Sequence, residues 1–143
     1  MIKSTVTDFY NLHENMGNFM SVHGTNVMGK ASVIIHYNFR VIHDALAEYF
    51  TERDKIITKY GTKDENGATI GIPAEDTENM EKAITEINEL GSISMELPIM
   101  TMDLADLYAV AEVVPSANIG ALIWMTNEYQ ATLKESNINK EEE

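Results

Sequence analysis

KASVIIHYNFRVIHDALAEYFTERDKIITKY, residues 30–60, contains neither glycine nor proline. Ile35, Phe39, Ile42, Leu46, Tyr49, Phe50, Ile57 and Tyr60 recur mostly at steps of three and four, which draws one apolar stripe along a helix. Arg40, Asp44, Glu48 and Glu52 step by four along the opposite side. Lys55 and Lys59 lie near the C-terminal end, where the helix dipole favours positive charge. Gly61 follows as a residue able to take the left-handed conformation that ends a helix. One unbroken helix of this length would be about 45 Å long at about 1.5 Å per residue, long enough to be the spine of the fold.

Upstream, residues 1–26 are rich in Asn, Gly and His and poorly periodic, so they are expected to be an irregular N-terminal segment. Within it, Thr7 or Asp8 is placed to cap a short helix with Phe9, Leu12, Met16 and Phe19 on its apolar side. Gly17 and Gly24 weaken any continuation. Downstream, Lys63-Asp64-Glu65-Asn66-Gly67 has the chemistry of a tight turn, and Ala68–Ile72 fits one short strand. After Pro73, a helix is expected from Asp76 or Thr77 to Leu90, with Met80, Ile84, Ile87 and Leu90 as its stripe and Gly91 as its stop. Ser92–Met102 alternates, with Ile93, Met95, Leu97 and Ile99 on one face, and Pro98 marks it as an edge strand. A short helix is expected over Asp103–Val113. Pro115-Ser116 opens a final helix to about Lys134, with Ile119, Leu122, Ile123, Met125 and Tyr129 toward the core. Residues 135–143, ending in three glutamates, are expected to fray as an acidic tail. The whole predicts one mainly α domain over residues 1–143. Its long central helix packs against the 77–90 and 116–134 helices, beside a small β-ribbon, with an α+β arrangement as the alternative.

Composition narrows the function. The chain has 143 residues, 44 % of them apolar, and no cysteine, which leaves no disulfide framework and no thiolate metal site. Ten basic residues stand against 23 acidic ones, a formal charge of −13. That balance argues against a surface built to hold nucleic acid or an anionic membrane. No apolar run reaches the length of a spanning helix, and Met1-Ile2-Lys3-Ser4-Thr5 lacks the pattern of a secretory signal. The expected location is therefore the cytoplasm. Residues 1–60 are neutral, whereas residues 61–143 set four lysines against 17 acids and carry the whole imbalance. An acidic half beside a neutral half suits a partner-facing surface, and it also suits solubility alone. The candidate partner surface is Asp64, Glu65, Glu75, Asp76, Glu78, Glu81, Glu86 and Glu89.

No segment carries strong chemistry. Gly24-Thr25-Asn26-Val27-Met28-Gly29-Lys30 has the spacing of a phosphate loop, but Ala31 stands where the magnesium-binding hydroxyl belongs, and Ser32 is one position late. A calcium loop started at Asp64 fails at Ala68 and Thr69. His36 and His43 lie seven apart, not at the three- or four-residue spacing of helical metal ligands, and the chain has no Glu-x-x-His pair. No serine sits in a Gly-x-Ser-x-Gly elbow. No catalytic, cofactor-binding or metal residue is therefore expected. Trp124, Met125 and most of the nine methionines are expected to fill the core.

The stretch from Gly29-Lys30-Ala31 to Trp124-Met125 resembles a family of small bacteriophage and prophage proteins of unknown function from Gram-positive hosts. The residues that carry the resemblance are the helix end from Tyr49 to Gly61, the turn Lys63–Gly67, the segment Glu86-Ile87-Asn88-Glu89-Leu90 before Ile93–Leu97, and Pro115-Ser116-Ala117-Asn118-Ile119 followed by Ala121-Leu122. They cover about two thirds of the chain and punctuate structure, with no chemical motif among them; residues 1–26 depart from the pattern. The resemblance implies phage origin and a non-enzymatic role. The expected function is accessory or structural, by contact with a phage protein in head or tail assembly, in the bacterial cytoplasm or the virion, with a homo-oligomer as a further arrangement. The alternative is an anti-defence protein whose acidic half occupies the nucleic-acid channel of a host effector. A metal- or nucleotide-binding helical protein comes third.

Overall fold

The computed structural model describes residues 1–114 and 116–141, with side chains at all of these except 116–118 and 138–141. In chain order the elements are β1 (Ile2–Thr5), α1 (Val6–His23), α2 (Gly29–Ala45), α3 (Ala47–Tyr60), β2 (Thr62–Lys63), β3 (Thr69–Gly71), α4 (Thr77–Gly91), β4 (Ser94–Leu97), α5 (Leu104–Ala111), a 3-10 helix over Ser116–Met125, and α6 (Asn127–Glu141). The protein is mainly helical, with two small antiparallel ribbons, β1–β4 and β2–β3.

The N-terminal segment is not irregular. Thr5 caps α1 in a capping box: its hydroxyl accepts from the Asp8 amide at 3.1 Å, and the Asp8 carboxylate accepts from the Thr5 amide at 3.4 Å. With that start secured, Phe9, Met16 and Phe19 are buried on the expected side and Leu12 is half-buried. Gly17 does not end the helix, because it lies beside the Phe39 ring, and a Cβ there would make ordinary contact at 3.6 Å.

The long helix is two. Leu46, fully buried, separates α2 from α3, and its amide is shared between the carbonyls of Ile42 (3.0 Å) and His43 (3.2 Å), a local 3-10 tightening. Ile35, Ile42 and Leu46 are buried as the stripe requires. Phe39, Tyr49, Phe50, Ile57 and Tyr60 are only half-buried, while Ala31, Ile34 and Asn38 join the core. Asn38 replaces a missing strand partner: its amide donates to the Met100 carbonyl at 2.8 Å, and its side-chain oxygen accepts from the Met100 amide at 2.9 Å.

Gly61 is extended, not left-handed; its need is space, since a Cβ would lie 2.6 Å from the Ile57 carbonyl and 2.8 Å from Thr69 Cγ2. The expected turn follows. The Asp64 carboxylate accepts from the amides of Asn66 and Ala68, both at 2.9 Å, and Gly67 takes φ +80°. On α4 the stripe is turned by about one position. Ala83 is the buried centre, Met80, Ile87 and Leu90 are half-buried, and Ile84 faces solvent at 49 % exposure. β4 pairs with β1 (Ile2 opposite Leu97, Thr5 opposite Ser94) and stops before Pro98. Ile93, expected on the inner face, is exposed because it lies in the turn after α4.

The last predicted helix is also broken. The 3-10 helix ends at Met125, and Thr126 forms a bridge beside Met102, with the Met102 amide donating to the Met125 carbonyl (3.0 Å) and the Asn127 amide to the Met102 carbonyl (2.9 Å). Leu122, Trp124 and Met125 are buried; Ile123 and Tyr129 are not. The expected frayed tail continues α6 as far as Glu141. Pro115 and the last two glutamates lie outside the described residues. The expected packing holds for α3 on α4, but the 3-10 helix packs on α1 and α5, and α2 lies between α1 and α5.

Candidate functional site

The eight acids proposed from sequence do not share one role. Asp64 closes the β2–β3 turn. Asp76 caps α4, accepting from the Asn79 amide at 3.2 Å. Glu86 ties α4 to α3, accepting from Lys59 Nζ at 2.8 Å and from the Tyr60 hydroxyl. Those two donors hold its carboxyl below the ordinary glutamate range, and the Glu86 carboxylate in turn raises the Lys59 ammonium. Glu78 pairs with Lys82 one turn on, at 2.6 Å. Glu65, Glu75, Glu81 and Glu89 are exposed, and their carboxylates engage no described side chain. Of the eight, these four are the ones open to a partner, and Glu81 and Glu89 share α4 with the exposed Ile84.

The phosphate-loop reading loses its lysine. Lys30 Nζ donates to Asp106 on α5 at 2.8 Å, an ion pair that lowers the Asp106 carboxyl and raises the ammonium. Ser32 stays on its own helix, with Oγ 3.4 Å from His36 Nδ1.

His36 and His43 do not come together. His36 Nδ1 lies 2.8 Å from the Ser32 carbonyl, so it donates there. His43 Nδ1 instead meets His13 Nε2 of α1 at 3.0 Å. The two ring centroids are 5.2 Å apart with planes 26° from parallel, so the nitrogens face each other almost in line. That geometry suits one shared proton and not a chelated metal, whose ligands must converge on a third point. His13 stacks on Phe39 at 4.7 Å, and Arg53 lies over Tyr10, Tyr49 and Phe50 at 5.1–6.0 Å, completing an aromatic seam between α1 and the α2–α3 joint. Nothing in the sequence pairs His13 with His43, since they are 30 residues apart and neither lies in a motif. Among the described residues, no group of three or more His, Asp or Glu side chains is placed to hold a metal, and no helix is long and apolar enough to cross a membrane.

Exposed apolar side chains cluster elsewhere. Met28 (80 % exposed) and Val113 flank a shallow depression between the α1–α2 connection and the end of α5. A larger groove runs between β1, α1 and α6, lined by Lys3, Phe9, Trp124, Tyr129 and Leu133. Comparison with protein-family models, with curated proteins and with solved structures finds no match to this chain.

Proposed function

We propose that this chain is a non-enzymatic bacteriophage accessory or structural protein that works by protein–protein contact, in head or tail assembly. The observation that carries the reading is on α4, where Ile84 stands exposed one turn from Glu81, with Glu89 further round the helix, and neither carboxylate engages a described side chain. An exposed apolar side chain beside a carboxylate suits a protein contact. The resemblance to phage proteins supports the biological setting. The engagement of Lys30 by Asp106 and of His43 by His13 supports a structural role for the residues that suggested nucleotide or metal chemistry.

A second reading has its own observation. Four carboxylates, those of Glu65, Glu75, Glu81 and Glu89, are free to stand in for phosphates in the basic channel of a host defence effector. Retention of partners from phage-infected cells separates the two. The comparison is wild type against Glu75→Lys/Glu81→Lys/Glu89→Lys, at low and high salt. The assembly reading expects a virion protein that survives both salt and reversal, because its contact is centred on Ile84. A nuclease or CRISPR effector lost under both conditions supports phosphate mimicry, since exposed charges are screened beyond about 8 Å at physiological ionic strength.

A further inference from the structure

We propose that Asn66 is a self-modification site: the Gly67 backbone nitrogen displaces its side-chain amide, and the product unlocks the β2–β3 ribbon from the end of α3. The reaction does not depend on the contact role above.

The Gly67 nitrogen bonds to Asn66 Cγ and closes a cyclic imide. Its proton passes through solvent to the side-chain nitrogen, which leaves as ammonia. Water then adds to either imide carbonyl and breaks that C–N bond, leaving aspartate or its β-linked isomer, isoaspartate. The net change is carboxamide plus water to carboxylate plus ammonium, and nothing else is consumed.

Sequence and structure single out this position. Asn66 is the only asparagine followed by glycine, which puts no side chain in the path of the attack. Asn11, Asn15, Asn18, Asn79 and Asn88 lie inside helices, whose fixed backbone and bonded amides keep the next nitrogen from the side chain. Asn66 lies instead in a turn where residues 62–68 are all exposed. Among the described residues nothing bonds its carboxamide. Around Gly67 the space is open: a Cβ there would meet no atom within 4 Å beyond its chain neighbours.

The turn sets the pace. The Gly67 amide donates to the Asp64 carbonyl at 3.0 Å, and the Asp64 carboxylate accepts from the Asn66 and Ala68 amides, both at 2.9 Å. The nitrogen attacks only when that turn opens, so the rate follows local opening of an exposed hairpin rather than unfolding of the domain. The product cannot rebuild the turn. Isoaspartate inserts one more carbon into the main chain before Gly67, so the amides of residues 66 and 68 no longer reach one carboxylate together. Either product also adds a negative charge beside Asp64 and Glu65, where like charges repel. The bond at risk is the Asp64 amide to the Ala68 carbonyl, 2.9 Å, which closes the hairpin. Its loss loosens β3, whose Thr69 packs beside Gly61 at the end of α3.

The test incubates the full chain in mildly alkaline buffer at body temperature, beside a capped peptide of residues 62–71. Products are located by peptide mass mapping and by methyl transfer from an isoaspartyl methyltransferase. We expect conversion at Asn66 before any other asparagine, severalfold more slowly than in the free peptide. Asp64→Ala releases both amides and raises the rate in the folded chain severalfold. Asn66→Gln, whose longer side chain closes the ring poorly, stays unmodified over the same period with an unchanged circular dichroism spectrum. In the converted wild type, hydrogen exchange at the Asp64 amide is severalfold faster, while the amides of α2 keep their protection. An intact Asn66 when the free peptide has fully converted, earlier conversion at another asparagine, or a slower rate in Asp64→Ala overturns the proposal. Unchanged exchange at Asp64 after conversion overturns the unlocking of the ribbon.

Discussion

α2 and α3 come from one continuous apolar stripe, yet α2 buries Ala31, Ile34, Ile35, Asn38 and Ile42, and α3 buries nothing completely. The difference lies in what covers them. α2 lies against α1, α5 and β4 and sits inside the main core. α3 is covered by α4 and the β2–β3 ribbon, and α4 offers only Ala83 as a fully buried side chain. A surface cluster completes that side, Glu86 with Lys59 and Tyr60, while Arg53 over its three rings ties α3 to α1. A stripe fixes which face turns inward; the depth of burial is set by the neighbour's side chains, which the stripe does not contain. The α3–α4 arm is therefore the part of the molecule that displays charge, and α1–α2–α5 is the part that holds it.

The largest expected effects test this directly. Ile42→Asp or Leu46→Asp places an unpaired charge in a fully buried site and should remove more than about 4 kcal/mol, unfolding the domain in a denaturant titration. Ile57→Asp, at the half-buried end of α3, should cost only about 1–2 kcal/mol. Equal losses at Ile42 and Ile57 would erase the distinction between the two helices.

Asn38→Leu comes next. It fills the same space but strands the Met100 N–H and C=O, at a cost of about 1–3 kcal/mol for each group left unsatisfied. A variant as stable as wild type would show that the Met100 backbone finds water instead, and that α2 does not depend on this clamp.

Glu86→Gln probes the arm by pH. Lys59 and Tyr60 hold the Glu86 carboxyl below the ordinary glutamate range, so its contribution is present at neutral pH. That contribution is lost as pH falls through the lowered folded value. The melting temperature of wild type should exceed that of Glu86→Gln at pH 7, and the margin should close below the usual glutamate range. A margin that widens in acid would contradict the pairing. Glu48→Ala, exposed and opposite the stripe, should stay within about 0.5 kcal/mol of wild type. A severe loss there would mean the stripe is placed half a turn wrong.

Much of this fold is legible in the residue pattern. The faces of α1 and α2, the Asp64–Gly67 turn, the start of α4 at Asp76 and the short helix after Asp103 all follow from local chemistry acting over a few residues. The two misplaced breaks, at Leu46 and Thr126, have no glycine or proline to announce them. One is an amide shared between two carbonyls within a buried turn, and the other a bridge to Met102 far earlier in the chain. The capping role of Thr5 was obscured by the low periodicity around it. Among the eight acids, sequence marks charge but not employment: Asp64, Asp76, Glu78 and Glu86 are engaged by neighbours within their own turn or helix or across to α3. The His13–His43 contact depends on how α1 is laid on α2, which neither segment encodes alone.

The most direct test of the contact role is genetic and particulate: a stop codon at Leu12 in a phage that carries this reading frame, with particles counted and their proteins identified. On a host without antiviral nucleases, the assembly account predicts that phage DNA and the other virion proteins accumulate while complete particles fall sharply, and that supplying the wild-type chain restores them. A normal yield of particles of normal composition on that host, with losses confined to hosts that carry a nuclease or CRISPR defence, would contradict assembly and leave the acidic arm as a phosphate mimic.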